Sequence, residues 1–544
     1  MEKEDKTSYK IIQPLLLSAC MAVGMMVGFK LNDKSENALV SITDYPLDSM
    51  MMTGRVEELV RFIEGKYVDK IDSDLLLQTA LDAIFNKLDP HSVYLSPKEV
   101  EDVNDQMNGS YNGIGIENFI IDDTVNISSV LYDSPAEKAG LKVFDKIISI
   151  NDHVVAGSSL EYNEIRELFN LEKGAEIKIG ILRDQKLLLY DVKVDEVPVR
   201  TITAELLPEM KTVLIKIDRF GSNTYKEFME EVEKYFDTKQ AKHIIIDLRN
   251  NPGGYLPEAT NILCQIFEEK DKLLLYTTGR NNKKNEYKSN GKRFFEIDQV
   301  AVLIDENSAS ASEIIAGAIQ DWDRGVIIGR RSYGKGLVQE QYNLTNGGAI
   351  RLTVARYFTP SGRSIQRDYT DRNSYEEDFG ERYQNGDFFH KDSTLIKNGG
   401  KFYTQILHRE VSALGGITPD IFVPLDTVYK DENIFNLISF IPEYTFRYVS
   451  KNKKDLPENI SDFKEWHIPD YIYSDFKDYI GKSIQNKSFV NAFDTRKLEK
   501  ELKSYIAGYL FDKKMYMTYE MQKDEFVSEA IRYIKDNKTS TNTK

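Results

Sequence analysis

The stretch Gly329–Gln339, "GRRSYGKGLVQ", sets Lys335 between two glycines, with Gln339 four residues further on. Glycine, four residues, glycine and lysine imitate a phosphate-binding loop. That loop needs Ser or Thr directly after the lysine to hold magnesium, and Gly336 stands there instead. The residues that follow are β-branched and aromatic with an Asn-Gly-Gly turn, which predicts a strand hairpin rather than a helix opened by a phosphate cradle. A lysine followed by Leu337 and Val338 can be desolvated, and burial lowers an ammonium pKa toward the range in which the amine accepts a proton. A donor for that proton lies 25 residues upstream: "ENSASASEIIAGAIQD" (Glu306–Asp321) runs through Ser308, Ser310 and Ser312 into a helix. A serine hydroxyl attacks only when a base takes its proton. "DLRNNPGGYL" (Asp247–Leu256) adds Gly253 and Gly254 after another strand, where free main-chain N–H groups can meet developing negative charge.

Each of these features alone has an ordinary reading. Serines cap helices, Gln339 suits a strand, and "NPGG" makes a turn. Their co-occurrence is what points to chemistry. A histidine-based triad is the weaker reading, because of the six histidines (His91, His153, His243, His390, His408, His467) only His243 adjoins a core strand, at its start.

The elements that must position these residues follow from periodicity. "TVLIKI" (Thr212–Ile217), "HIIIDL" (His243–Leu248), "QVAVLID" (Gln299–Asp305) and "RGVIIG" (Arg324–Gly329) are short β-branched runs separated by helical patterns, which predicts an α/β core with buried strands. Between Val56 and Leu88 apolar residues at helical spacing predict two amphipathic helices, stopped by Asp89-Pro90. From Tyr111 to Val194 strand-like alternation surrounds one short helix at Ser134–Gly140. There "GIGI" (Gly113, Ile114, Gly115, Ile116) offers main-chain N–H groups free of side-chain cover, able to capture a terminal carboxylate beside a strand edge.

This block resembles a PDZ domain, with "GIGI" as the carboxylate-binding loop and "SPAEKAGLKVFDKIISIND" as its most recognisable stretch. Many relatives carry an Arg-Gly pair where this chain has Asn170-Leu171, so any coupling of ligand to activity must use other groups. With "SASASEI", "GRRSYGKGLVQ", "DLRNNPGG", "LDPHSVYLSPKE", "ARYFTPSGRSIQ" and "GGITPDIFVP", the chain from about residue 50 to 430 is similar to the C-terminal processing, or tail-specific, peptidases. The resemblance implies a crotonase-like α/β peptidase core with an inserted PDZ domain. It implies Ser310 as nucleophile, Lys335 as base and Gln339 as the residue that orients the lysine. The N–H of Ala311 and one N–H from Gly253 or Gly254 would form the oxyanion hole. No metal and no cofactor are expected. The implied activity is that of a serine endopeptidase that holds the C-terminal tail of an unfolded or flexible protein on its PDZ domain and cleaves the chain through an acyl-enzyme. A catalytically silent PDZ scaffold outside the cytoplasm is the alternative, though it would not need Ser310, Lys335 and Gln339 together. An NTPase would need a hydroxyl after Lys335, and a crotonase-like acyl-CoA enzyme would leave the PDZ block unexplained.

The expected domains are a membrane anchor or signal segment at 1–30, an N-terminal helical segment at 44–98, the PDZ domain at 99–195, and the peptidase core at 196–430. The polar, glycine-broken stretch at about 367–414 reads as an inserted surface excursion, and 431–544 as a helical extension ending in a disordered tail, "KDNKTSTNTK". Ile11–Phe29 is apolar behind Lys3, Lys6 and Lys10, long enough to cross a bilayer. Leu17-Ser18-Ala19-Cys20 also resembles a lipoprotein cleavage box, although the apolar run continues past Cys20. An uncleaved anchor, lipidation and ordinary cleavage all place the bulk of the 544-residue chain in the cell envelope, facing the periplasm, anchored by the inner membrane or a lipid or, after ordinary cleavage, free in the periplasm. A net charge of −16 argues against nucleic acid as a partner, and two cysteines, Cys20 and Cys264, make neither a disulfide framework nor a zinc site. Protein tails, the membrane, an adaptor and a homo-oligomer are the partners compatible with this reading.

Overall fold

The computed structural model describes residues 55–207, 210–280, 284–391, 401–413, 415–430, 433–483, 493–511, 521 and 524–541. The expected anchor at 1–30, with Cys20, lies outside them. The chain divides into two units, Met1–Ile84 and Phe85–Lys544. In the first, the two expected helices are α1 (Arg55–Lys66) and α2 (Ser73–Phe85).

The second unit opens with the short strand β1 (Val93–Leu95) and helix α3 (Pro97–Asn108). Ser96 and Glu99 close a capping box at the start of α3, proline stands at its first position, and Gly109 ends it at φ 72°. The PDZ block comprises β2 (Ser110–Gly113), β3 (Ile116–Ile121), β4 (Thr124–Val130), α4 (Pro135–Ala139), β5 (Lys146–Ile150), β6 (His153–Val154), α5 (Tyr162–Phe169), β7 (Glu176–Arg183), β8 (Lys186–Lys193) and β9 (Asp195–Pro198). β3, β4, β5, β7 and β8 form one antiparallel sheet, β6 adds to β5, and β2 pairs with β9 so that entry and exit leave side by side. Alternate residues of its strands, among them Val125, Ile127, Ile147, Ile177, Ile179 and Ile181, fill a core of their own.

The α/β core is built on β10 (Ile202–Leu207), β11 (Thr212–Ile217), α6 (Thr224–Glu233), β12 (His243–Asp247), α7 (Leu256–Ile266), β13 (Lys270–Thr278), β14 (Asn285–Asn290), β15 (Val300–Ile304), α8 (Ala311–Asp321), β16 (Val326–Gly329), β17 (Leu337–Asn343) and β18 (Ala349–Phe358). A six-stranded sheet runs β10-β11-β12-β15-β16 and ends on a short strand, Ile421–Phe422; every pair except β10–β11 is parallel. All residues of β12, β15 and β16 are buried, which accounts for their unbroken apolar sequences. One face of this sheet packs against α6, α7 and α8. A second, antiparallel sheet joins β1, β18, β13 and β14, with β17 paired to β18 across the expected Asn-Gly-Gly turn.

Two expectations are corrected. The 367–414 stretch is not a surface excursion where it is described: its helix α9 (Arg372–Gln384) buries Tyr375 and Arg382, and Phe388 follows fully buried. Its polar composition misleads because the polar groups are paired inward. Arg367 is ion-paired to Asp378 and stacks on Tyr333 and Tyr375 at 4.1 and 3.9 Å, and Arg382 donates to the Arg331 carbonyl at 2.7 Å. The expected disordered tail is also helical as far as Thr541, since the last helix, α10 (Glu525–Thr541), lies on the main sheet through Phe526, Val527, Ala530 and Ile534. The helices between Asn433 and Leu510 make a separate core around Tyr444, Phe463, Phe476 and Leu502.

Candidate active site

Ser310 sits at the N-cap of α8, just past the end of β15, in a backbone conformation (φ 54°, ψ −112°) that non-glycine residues adopt only under constraint. The constraints are visible on both sides of it. Ser308 Oγ donates to the Leu248 carbonyl at 2.8 Å and accepts from Asp305 N–H at 2.9 Å, while Ser312 Oγ donates to the Asn251 carbonyl at 3.0 Å. The outer serines of "SASAS" are thus fully buried braces that lash the Ser310 loop to the "DLRNNPGG" loop, and only Ser310 of the three is left partly accessible. The capping and nucleophile readings of Ser310 coincide, because an N-cap hydroxyl lies at the helix end where N–H groups are unpaired. Among the described residues, Ala311 N–H makes no hydrogen bond.

The glycine pair separates in role. Gly253 N–H donates to Asn251 Oδ1 at 2.8 Å, whereas Gly254 N–H has no partner among the described residues. Gly253 instead presses its Cα against Ser310: at φ 99°, a Cβ there would lie 2.8 Å from Ser310 Cβ and 3.0 Å from Ala311 N.

Lys335 lies in the loop between β16 and β17. Its Nζ donates to Gln339 Oε1 at 3.0 Å, and Gln339 Nε2 donates to the His91 carbonyl, which fixes the amide with its oxygen toward the lysine. Burial, and then the nearby Arg351 guanidinium, hold the Lys335 amine below its ordinary value, the direction a general base requires. No hydrogen bond joins Ser310 Oγ to Lys335 Nζ among the described residues. Their main chains are nonetheless tied to common groups. Glu313, fully buried, accepts at one carboxylate oxygen from Ser310 N–H and Lys335 N–H (both 2.8 Å) and at the other from Ser332 Oγ (2.6 Å) and Gly334 N–H (2.7 Å). Burial pushes its carboxyl up and these four donors pull against that. Tyr357 Oη donates to the Lys335 carbonyl at 2.7 Å and lies 3.2 Å from the Ser310 carbonyl.

Sequence reasoning missed Glu313, Tyr357 and the role of "LDPHSVY". Glu313 was findable as an acid three residues after an N-cap serine, the capping-box spacing. Tyr357 carries no such signal. Asp89 accepts from His91 N–H, Ser92 N–H, Ser92 Oγ and Thr353 Oγ1, so that this loop buttresses Gln339. Burial and the Lys335 charge push the His91 imidazole down to about 4, so it is neutral at pH 7; its Nε2 is 2.7 Å from Tyr375 Oη.

In the PDZ block, Ile114 is buried, and the N–H groups of Ile114 and Gly115 make no hydrogen bond among the described residues. Gly115 must be glycine: at φ 81°, a Cβ would sit 2.3 Å from Ser134 Cβ. Gly113, Ile114, Gly115 and Ile116 line a groove of about 660 Å³ between β3 and α5, with Ile165 and Phe169 opposite. Helix α3 supplies a further wall, and Asp102 on it is ion-paired to Arg166 of α5 at 2.7 Å. Among the described residues no group of His, Cys, Asp and Glu could hold a metal ion, and no helix is long and apolar enough to cross a membrane.

The sequence model for "Peptidase family S41" matches residues 211–373, and that for "PDZ domain" matches 112–194. The carboxy-terminal processing protease CtpB of Bacillus subtilis is 33% identical over 345 residues, 62% of this chain and 70% of that protein. A carboxy-terminal-processing protease of Bartonella bacilliformis is 31% identical over 57% of this chain and 72% of its own length. Against a "Probable CtpA-like serine protease" of Staphylococcus epidermidis, at 31% identity, the match spans 62% of that relative. Among solved structures, the photosystem II D1 C-terminal processing protease is 21% identical, with a TM-score of 0.34, over 69% of this chain and 94% of that one. The PDZ domain of a Vibrio cholerae carboxy-terminal protease, solved with a peptide, is 25% identical with a TM-score of 0.16, over 16% of this chain and 99% of that one. The chain belongs to the carboxy-terminal processing proteases of peptidase family S41, serine-type peptidases that carry a PDZ domain.

Proposed function

We propose that the chain is an endopeptidase that takes the C-terminal tail of exported proteins on its PDZ groove and cleaves the polypeptide with Ser310 and Lys335. The observation that carries this is the lysine: a buried amine held by a glutamine that is itself pinned to the His91 carbonyl, with its loop clamped to the nucleophile's by Glu313. Helix capping accounts for the Glu313–Ser310 bond alone; it does not account for the same carboxylate accepting from Lys335 N–H, nor for a Gln339 amide turned toward the lysine amine.

In acylation, neutral Lys335 takes the Ser310 hydroxyl proton as Oγ bonds to the scissile carbonyl carbon. The carbonyl oxygen gains negative charge, which the N–H groups of Ala311 and Gly254 face. The tetrahedral adduct collapses as Lys335 returns its proton to the departing amine. Water then attacks the ester, its proton passing to Lys335 and on to Ser310 Oγ as the acid leaves. The free enzyme need not show the hydroxyl bonded to the amine, since such contacts commonly tighten only with substrate bound. At the groove, the N–H groups of Ile114 and Gly115 would receive the terminal carboxylate, and the tail would add to β3 as a strand.

The test is turnover of an unfolded protein by the full chain and by Ser310→Ala, Lys335→Ala and Lys335→Arg. All three variants should be inactive, since a guanidinium stays protonated and cannot accept the serine's proton. All three should bind a tail peptide as wild type does, and amidating the peptide's C-terminus should weaken that binding. Activity in Lys335→Arg would refute the base assignment, and equal affinity for acid and amide peptides would refute carboxylate recognition. Residues 1–30 are proposed to anchor the protein in the envelope. Full-length protein should sediment with membranes, and a soluble full-length chain would contradict the anchor. Fatty-acid labelling lost on Cys20→Ala would assign lipidation instead.

A further inference from the structure

Helix α10 lies beyond both matched stretches, and neither the Ser310–Lys335 chemistry nor the peptide groove gives it a task. Its first turn nevertheless meets the ends of the strands that carry that chemistry. Asp524, just before the helix, divides its carboxylate between two jobs. One oxygen caps the helix, accepting from Phe526 N–H at 2.8 Å and Val527 N–H at 3.3 Å. The other accepts from Arg249 Nη1 at 2.6 Å. Arg249 stands at the end of β12 in "DLRNNPGG", and its remaining guanidinium nitrogens grip Asp247 at 2.9 and 2.6 Å. Phe526 then lies between two guanidinium groups, with Arg249 4.6 Å and Arg330 5.3 Å from its ring centre. Arg330 begins the loop that delivers Ser332, Gly334 and Lys335, and it is paired twice to Glu306, at 2.7 and 3.2 Å, at the start of the nucleophile loop. A Cβ at Gly329 would touch the Phe526 ring at 2.7 Å, so the ring sits directly against the end of β16.

We infer that Asp524 and Phe526 are positioning residues for catalysis: the C-terminal helix holds Arg249 and Arg330, and through them sets the oxyanion loop and the lysine loop on either side of β15. A helix serving only to cover apolar sheet would need its buried face, Val527, Ala530 and Ile534, and no ion pair to a catalytic loop. The buried charges argue the same way. Arg249 is held well above its ordinary range, burial opposing and the Asp247 and Asp524 carboxylates prevailing, so removing either acid leaves a guanidinium under the oxyanion loop short of a partner. This inference rests on Ser310 and Lys335 being the reacting pair.

Asp524→Asn separates the two jobs. Asparagine caps helices as well as aspartate, but its amide offers Arg249 no charge. In the full chain this variant should keep its melting temperature within a few degrees of wild type and should bind tail peptide unchanged. Its kcat should fall by about tenfold or more with KM little altered, as expected when reacting groups are displaced by a fraction of an ångström. Phe526→Leu should behave likewise. Ile534→Val, two turns along the same helix, is the control: it should lower the melting temperature and leave kcat alone. Wild-type kcat in Asp524→Asn, or kcat losses that merely follow melting temperature across all three variants, would overturn the inference. Ser310→Ala run alongside keeps the two claims apart. If it is inactive while Asp524→Asn turns over normally, only the positioning role fails; if it is active, the reacting pair itself is wrong.

Discussion

Glu313→Gln probes the clamp between the Ser310 and Lys335 main chains. The carboxylate accepts four hydrogen bonds where no water reaches it, and an amide can accept only at its oxygen. The amide can lie two ways. With its oxygen toward Ser332 and Gly334, its NH₂ opposes Ser310 N–H and Lys335 N–H, leaving those two donors and both NH₂ hydrogens unpaired, four in all. With its oxygen toward Ser310 and Lys335, the NH₂ meets Gly334 N–H and the Ser332 hydroxyl. The hydroxyl can rotate to accept one NH₂ hydrogen, so at least two donors are left over, the other NH₂ hydrogen and Gly334 N–H. An unpaired buried donor costs about 1–3 kcal/mol, so the favoured orientation predicts a loss of about 2–6 kcal/mol and the other about 4–12 kcal/mol. Denaturant unfolding should therefore show a loss near the lower figure. Turnover should fall more than stability does, because the Gly334 main chain that is pushed away is adjacent to Lys335. KM and tail-peptide affinity should hold, since the groove lies in another domain. Stability and kcat both at wild-type level would refute the claim that this carboxylate organises the site.

The pH dependence carries its own sign. Burial and then Arg351 lower the Lys335 pKa, so kcat/KM should rise with pH through an ionisation below 10.5, the amine being the active form. Arg351→Gln removes a cation that disfavours the ammonium, so the midpoint should move to higher pH; an unmoved or lowered midpoint in the pH–rate profile would contradict this. Gly253→Ala places a methyl 2.8 Å from Ser310 Cβ and 2.8 Å from the Ala309 carbonyl, and should abolish turnover while tail-peptide binding, read by fluorescence anisotropy, persists. Gly115→Ala should do the reverse at the groove, its Cβ meeting Ser134 Cβ at 2.3 Å: peptide affinity drops by an order of magnitude or more, and cleavage of a short ester that needs no tail survives.

The α/β core was legible because its parallel strands are buried on both faces, and runs such as "HIIID" and "VAVLI" have few other uses. Ser310, Lys335 and Gln339 were singled out from spacing and resemblance together; in the structure Ser310 and Lys335 share Glu313 and Tyr357 as partners, and Gln339 accepts from the Lys335 amine. Less visible were residues whose role depends on long-range contact. Tyr357 reads as an ordinary aromatic of β18, and only strand pairing carries its hydroxyl to the Lys335 carbonyl. The polar stretch after Arg367 misled for a related reason. Composition counts charges without showing that Arg367 and Arg382 both ion-pair with Asp378. At Gly253-Gly254 the sequence offers two equivalent donors, and the Asn251 side chain, by taking one of them, distinguishes the pair.

The central claim is that Lys335 activates Ser310. A slowly hydrolysed peptide ester incubated with the full chain, quenched in acid and mapped by mass spectrometry, tests it most directly. The account predicts an acyl adduct on the peptide bearing Ser310 in wild type, forming faster as pH rises, and none in Lys335→Arg under the same conditions. An adduct on any other residue, or one that forms on Ser310 at the wild-type rate in Lys335→Arg, would contradict it.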